Sequence, residues 1–254
     1  MSLTRLALRF AAPLPKVEAF ERYLFIGPHP DDIEIGAGAT AAKLAAMGKA
    51  VCFLICTDGR YGDGHVSETG DALAALRMQE AIRSAAVLGV SDVRFLGLSD
   101  GGFYTEEALL AGIAGVIGDF QPDVLLAPDP CVFSEGHADH LRVGHAVRQL
   151  AVFSPHKGIM ERYGAASANV QAAAFFMTAR PNRYVGTRGY VSRQLEAIFA
   201  CHKSQFPECD TSARGIALYI KLRAADFGVR SLMGCAEGFR VFGQVHMHCL
   251  PEAE

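Results

Sequence analysis

The chain has 254 residues, half of them hydrophobic and 20% charged, with a formal net charge of −3. That length suffices for one large domain with its own core. The charges form no basic stripe and no long single-sign run, so there is no nucleic-acid footprint, and no apolar window is long enough to span a membrane.

The opening "MSLTRLALRFAAPLPK" has arginines among its apolar residues and lacks the unbroken apolar core and cleavage site of a signal peptide. Leu6, Leu8 and Phe10 alternate, which predicts a short strand. "YLFIG" reads as a buried strand, "AGATAAKLAAMG" as a helix closed by Gly48, and "AVCFLICT" as a second buried strand. After the loop "DGRYGDGHVSETG", the stretch "DALAALRMQEAIRSAAVLG" has helical spacing and ends at Gly89. "VRFLGL", "EEALLAGIAGVIGDF", "DVLLAP" and "LRVGHAVRQLAVFS" continue as strand, helix, strand and helix. The central strands are continuous apolar runs, as a sheet covered on both faces requires. Such alternation predicts an α/β fold, a Rossmann-like, doubly wound, mostly parallel sheet.

From about residue 157 the pattern loosens. "AAAFFMTARPN" predicts a strand, "YVSRQLEAIFACHKSQ" and "SARGIALYIKLRAADFG" helices, and "FRVFGQVHMHCL" a closing strand. No polar linker intervenes, so residues 1–254 are expected to form one domain, a core over 1–150 with a C-terminal elaboration over 151–254. The seven cysteines, at 52, 56, 131, 201, 209, 235 and 249, have irregular spacing and no CxxC. They read as buried free thiols in a reducing cytoplasm.

Two rim loops carry the chemistry. In open parallel sheets ligands sit outside the carboxyl ends of strands. His29, Pro30, Asp31 and Asp32 follow the first strand, and "HADH" (His137, Asp139, His140) follows the fourth. Pro30 pushes His29 into an extended conformation, a bend that lets positions 29 and 32 converge on one ion. Asp31 then lies beside the ion without having to bind it. His137 and His140 share a face on a first helical turn, so one can bind metal while the other points at substrate. Three nitrogen and oxygen ligands with an open water position are the inventory of a catalytic zinc site. Alone, paired aspartates after a strand are most often a helix N-cap, and HxxH is most often a solvated helix face. Their joint placement on one rim is what argues for a site.

These residues resemble the LmbE/PIG-L family of zinc-dependent N-acetylglucosaminyl deacetylases. "PHPDDIEIG" matches the family's first motif and "HADH", after "FQPDVLLAP", its second. "LRMQEAIRSAAVLGVSDVRFLGLSDGG", "ACHKSQF" and "CAEGFRVF" resemble further family segments, and the likeness runs over roughly residues 22–242. One departure is Ile33 where many members carry Glu, with Glu34 following at once. The resemblance implies a metal held by His29, Asp32 and His140, with Asp31 as general base and His137 as general acid or oxyanion stabiliser. It also implies Asp139 orienting His137, and Arg77 and Asp100 holding substrate hydroxyls. Arg77 otherwise reads as a surface partner of Glu80, and Asp100 as a turn residue before Gly101.

The implied reaction is removal of an N-acetyl group from an N-acetylglucosamine-type sugar or glucosaminyl conjugate, with Zn2+ or Fe2+ as cofactor. The expected partner is a small amino-sugar substrate, with no nucleic acid and no membrane. An amidase on a thiol conjugate or a deacylase of a glycosylated natural product would use the same chemistry. The loop 59–71 and the segment 157–190 are where that choice would be set. Of another class are a nucleotide-binding module and a non-catalytic metal-binding protein. The turn "GPHPDDIEIGAG" opposes the nucleotide reading, because its carboxylates repel phosphate and its glycines come late. His65 reads as a loop residue over the crevice, His145 as structural and His202 as packed under the site. His246 and His248 read as one side of the last strand, either solvated or at a homo-oligomer contact.

Overall fold

A computed structural model of the chain describes residues 3–62, 64–207, 211–248 and 250. The elements in order are α1 (Leu3–Ala11), β1 (Arg22–Gly27), α2 (Asp32–Ala46), β2 (Ala50–Thr57), α3 (Gly70–Leu88), β3 (Asp92–Leu98), α4 (Glu106–Phe120) and β4 (Val124–Pro128). They continue as α5 (Ala138–Phe153), α6 (Lys157–Arg162), β5 (Ala172–Phe176), β6 (Arg183–Gly186), α7 (Val191–Glu196), α8 (Thr211–Ser231) and β7 (Ala236–Gly243).

One sheet runs β3-β2-β1-β4-β5-β7-β6. The first five strands are parallel, and β7 runs antiparallel to both β5 and β6. The apolar strands split their side chains between two layers. Leu24, Ile26 and Leu54 pack with α4 and α5, while Tyr23, Phe25 and Phe53 pack with α2 and α3. Both sets are almost fully buried. Each such side chain contributes about 1.5–3 kcal/mol of burial, which is why these runs do not alternate with polar residues. Helix ends follow local chemistry. Thr105 accepts from the Ala108 N–H at the start of α4, and Gly89 closes α3 at φ 85°. No helix among the described residues is long and apolar enough to cross a membrane.

The strand order reverses between β1 and β4, which leave the sheet centre as neighbours. Their carboxyl ends therefore open a crevice at the switch point. The three later strands extend the same sheet rather than forming another one.

Two expectations at the ends are corrected. Residues 3–11 form a helix, not a strand. Leu3, Leu6 and Phe10 recur at helical spacing and lie exposed, and the segment holds no β-branched residue except Thr4. The closing strand ends at Gly243, and residues Gln244–Met247 turn into a 3₁₀ helix. There Gln244 donates to the carbonyls of Ala151 and Val170, both at 2.6 Å, and the His246 ring bonds the Ala12 carbonyl at 2.8 Å. These side-chain bonds take the chain off the ladder, so His246 and His248 do not share a strand face. The sequence pattern also passed over α6 and β6. Cys52, Cys56 and Cys201 are buried free thiols as expected, but Cys131 is exposed and Cys235 half-buried, and Cys209 and Cys249 lie outside the described residues.

Candidate functional site

The first rim loop joins β1 to α2. Asp31 takes the N-cap position of α2, yet its carboxylate caps no amide, and its backbone sits at φ 137°. A non-glycine residue at positive φ costs about 1–3 kcal/mol and persists only where its surroundings dictate it. Those surroundings include Arg77 of α3, whose Nη2 donates to the Pro30 carbonyl at 3.0 Å and to Asp31 Oδ2 at 3.4 Å. Arg77 Nη1 donates to the Gly59 carbonyl at 3.1 Å. Only glycine fits position 59, where φ is +66° and a Cβ would come within 2.4 Å of Arg77 Nη1. Asp32 Oδ2 accepts from the His29 backbone N–H at 2.8 Å and lies 3.0 Å from His29 Nδ1.

The second loop joins β4 to α5. His137 is the N-cap of α5, its Nδ1 accepting from the Asp139 N–H at 3.3 Å. A neutral ring accepting at Nδ1 carries its proton on Nε2. The two loops meet. His140 Nε2 lies 3.3 Å from Asp32 Oδ1, and the His29 ring centroid lies 5.4 Å from that of His140 and 4.6 Å from that of His137. One carboxylate, that of Asp32, thus lies against both His29 and His140. Donor atoms of His29, His137 and His140 lie within 4.8 Å of one another, and so do those of His29, Asp100, His137 and Asp139.

Asp139 and Arg77 have nearer partners than the sequence reading named. The Asp139 carboxylate is directed at His29, with Oδ2 3.1 Å from Nε2, and stands 3.8 Å from His137 Nδ1. The Gly101 N–H, 2.9 Å from the same oxygen, turns it that way. Arg77 is neither on the surface nor paired with Glu80. Its guanidinium is buried against the first loop, and Glu80 accepts from Ser204 instead. Asp100 is buried, accepts from the Tyr61 N–H at 3.3 Å, and lies 3.7 Å from His29 Nε2.

The electrostatics follow from burial opposed by pairing. Burial alone would lower the His29 pKa, but the carboxylates of Asp100, Asp139 and Asp32 hold it up at about 12. Burial would raise Asp32, yet His140 and His29 keep it well below the usual carboxylate range. Asp139 is held at about 2 by His29 in the same way. Burial pushes Asp31 up to about 6 against the opposing charge of Arg77. Four carboxylates, of Asp32, Asp100, Asp139 and Glu135, thus surround three imidazoles, and Asp139 Oδ1 is buried without a partner. This is a site built around positive charge. Its nitrogen and oxygen donors suit zinc or ferrous iron.

Several residues of the site escaped the sequence reading. Glu135 Oε2 lies 3.0 Å from His140 Nδ1, and Glu135 Oε1 accepts from the His137 N–H at 2.7 Å. Ligating histidines are commonly oriented by such a carboxylate, so an acid two residues before "HADH" was a usable signal. Glu34, which follows the family departure at Ile33, is buried and bonds Ser84 Oγ at 2.6 Å and His202 Nε2 at 3.2 Å. Glu237 of β7 accepts from the N–H groups of Ala39 and Thr40 where α2 breaks at Ala37, and Gln194 bridges it to the Glu34 carbonyl. A lone acid two residues before "FRVF" was the sequence mark of that contact. A cleft of about 420 Å³ opens nearby, lined in part by Ile35, Ser134, Thr178 and Glu237. His145 lines a separate cavity of about 720 Å³, away from the cluster, and His65 is exposed.

The family described as PIG-L, GlcNAc-PI de-N-acetylase, matches residues 24–151. The chain is 34% identical to a diacetylchitobiose deacetylase of Thermococcus kodakarensis over 99% of its own length and 93% of that protein's. It is 31% identical to a 1D-myo-inositol 2-acetamido-2-deoxy-alpha-D-glucopyranoside deacetylase of Kineococcus radiotolerans, over 68% of this chain and 56% of that one. Among solved structures, the N,N'-diacetylchitobiose deacetylase of Pyrococcus horikoshii superposes with a TM-score of 0.86 at 29% identity, covering 99% of this chain and 97% of that one.

Proposed function

The chain belongs to the PIG-L (LmbE-like) family, and on that premise we propose that it is a metal-dependent N-deacetylase of N-acetylglucosamine-type sugars or glucosaminyl conjugates. The observation that carries this reading is the convergence of two sequence-distant loops. Asp32 lies 3.0 Å from His29 and 3.3 Å from His140, with Asp31 and His137 beside them. His29, Asp32 and His140 would hold the metal, zinc or ferrous iron. When bound, such a cation polarises a carbonyl and acidifies a water.

The protein's own groups account for the rest. Asp31, its carboxylate held by Arg77, accepts the proton of the attacking water. His137 presents Nε2–H to the oxygen on which charge develops as the acetyl carbonyl becomes tetrahedral. The amine needs a proton to leave, and the newly protonated Asp31 supplies it; His137 does so only as the imidazolium, with both ring nitrogens protonated and the Nδ1 cap given up. Glu135 fixes the ring of His140, while Asp139 and Asp100 fix that of His29. Asp100 is reserved for positioning and for any substrate hydroxyl that reaches it, whereas Arg77 positions Asp31. The whole chain acts as one domain in this reading, because Gln194, His202 and Glu237 from the C-terminal elaboration brace α2. A nucleotide-binding role is disfavoured by the two buried carboxylates at the first turn, where a phosphate would need amides.

The test is amine release from N-acetylglucosamine, its glycosides and chitooligosaccharides by chelator-stripped protein, with and without added zinc or ferrous iron. Release that depends on added metal is expected. No release from any acetylated amino sugar with either metal would overturn the proposal.

A further inference from the structure

Two large aromatic side chains stand in solvent beside the cluster. Tyr61, after β2, is 56% exposed, and Phe103, after β3, is 74% exposed. Their rings meet edge to face with centroids 5.8 Å apart. Single exposed apolar residues are ordinary, but this pair sits on loops that the site itself fastens. The Tyr61 N–H donates to Asp100, and Gln205 Nε2 donates to the Gly62 carbonyl at 2.8 Å. On the other loop the Gly101 N–H donates to Asp139, and Arg142 Nη1 donates to the Gly102 carbonyl at 2.8 Å. Gly101 lies at φ +77°, and a Cβ there would come within 3.1 Å of the Phe103 ring, so the ring rests against the backbone next to Asp100. The shelf is therefore held by the residues that surround His29.

We infer that the Tyr61–Phe103 shelf is a subsite for the sugar ring attached to the reacting N-acetylglucosamine. The inference rests on the deacetylase reading and narrows its substrate to glycosides whose aglycone is itself a pyranose. A β-linked gluco-configured ring has equatorial hydroxyls and axial C–H bonds, so its faces are apolar and pack on aromatic carbon. The rigid side chains lose little freedom on binding it.

The experiment compares kcat/KM for N,N'-diacetylchitobiose and for methyl N-acetyl-β-glucosaminide in the metal-loaded full chain. Phe103→Ala and Tyr61→Ala should each lower the disaccharide-to-methyl-glycoside ratio by about fivefold, through the disaccharide KM, and Tyr61→Phe, which keeps the ring, should restore it. A ratio that stays constant in both alanine variants overturns the subsite. So does a change in sedimentation with no change in ratio, which would set the rings against a second copy of the chain. If the wild type hydrolyses neither substrate, the deacetylase reading fails separately, and the shelf is judged by saturation-transfer NMR with chitobiose. Saturation of the sugar ring protons that is lost in Phe103→Ala supports the shelf, and saturation retained there overturns it.

Discussion

The two rim loops contribute similar residues by opposite means. In the loop after β1, His29, Asp31 and Asp32 are all buried: Arg77 of α3 holds Asp31, the His29 N–H holds Asp32, and the carboxylates of Asp32, Asp139 and Asp100 hold the His29 ring. Behind them α2 is braced from the C-terminal elaboration by Gln194, His202 and Glu237. In the loop after β4, the His137 side chain is 46% exposed and is placed by backbone contacts with its own loop and helix turn. The difference matches the proposed division of labour. Ligands and a base must be held to fractions of an ångström. A proton donor must instead reach solvent and substrate, and it gains from lying at an exposed helix start.

The comparison is broken most severely at the metal. His140→Ala removes the one proposed ligand supplied by the second loop and leaves Asp32 paired with His29 alone. Bound metal after dialysis, read by elemental analysis, should fall to background, and turnover with it. A variant that keeps stoichiometric metal would place the ion elsewhere, for instance among His29, His137 and Asp139. Next in size is Asp31→Asn. It should retain metal while kcat falls by about 10³-fold, the range of a lost general base. Because Arg77 and the Pro30 backbone hold the loop, the variant should unfold within a few degrees of the wild type in a thermal scan. An active Asp31→Asn protein would leave the strained backbone at Asp31 without a catalytic reason.

His137→Ala should act through the other loop and cost less. Loss of one donor to a developing oxyanion lowers kcat by about 10²-fold with metal content unchanged. Since His137 Nδ1 also caps α5, some stability should go with it, about 1 kcal/mol in urea unfolding. His137→Asn keeps a capping oxygen and so separates the two effects, recovering stability without recovering rate. If His137→Asn recovers rate together with stability, the histidine is a cap and not a donor.

How much of this the sequence disclosed follows the same physical lines. The five parallel strands were legible because each is an apolar run, and the Gly48 and Gly89 stops were local signals. The metal-type residues were legible because strand ends in such a sheet share a rim. Their partners were not. Asp139 was expected to serve His137, its neighbour in sequence, but it turns to His29 because the Gly101 amide, contributed by another strand end, receives its carboxylate. Arg77, implied to hold a substrate hydroxyl and otherwise read as a surface partner of Glu80, lies buried under a Gly-rich loop, a fold-back that a helix repeat cannot show. The C-terminal half was harder still. β6 is four residues long, α7 passes into a π-helical turn, and the last strand ends where Gln244 finds carbonyls of Ala151 and Val170. Those are long-range side-chain contacts with no periodic trace.

The smallest expected effect tests the bracing itself. Glu237 is buried where α2 breaks, and burial pushes its pKa from 4.5 up to about 7, outweighing the bonds from Thr40, Ala39 and Gln194. Between those two values the native chain holds a proton that the unfolded chain has released. Stability therefore falls as pH rises through this window, by at most about 3 kcal/mol. Glu237→Gln has no proton to lose. Its amide oxygen still accepts one backbone N–H, while its NH₂ faces the amide of Gln194, so it should be less stable than the wild type at pH 5. The deficit should shrink or reverse by pH 8. Urea unfolding of both proteins at pH 5, 6, 7 and 8 measures it. Turnover at pH 7.5 should fall less than about threefold, because Gln194 still donates to the Glu34 carbonyl and His202 still pairs with Glu34. A stability difference that does not vary with pH would mean that Glu237 is ionised throughout the range. The brace behind the first loop would then be a fixed charge at the broken helix rather than a titrating one, and its hold on Asp32 would be independent of pH.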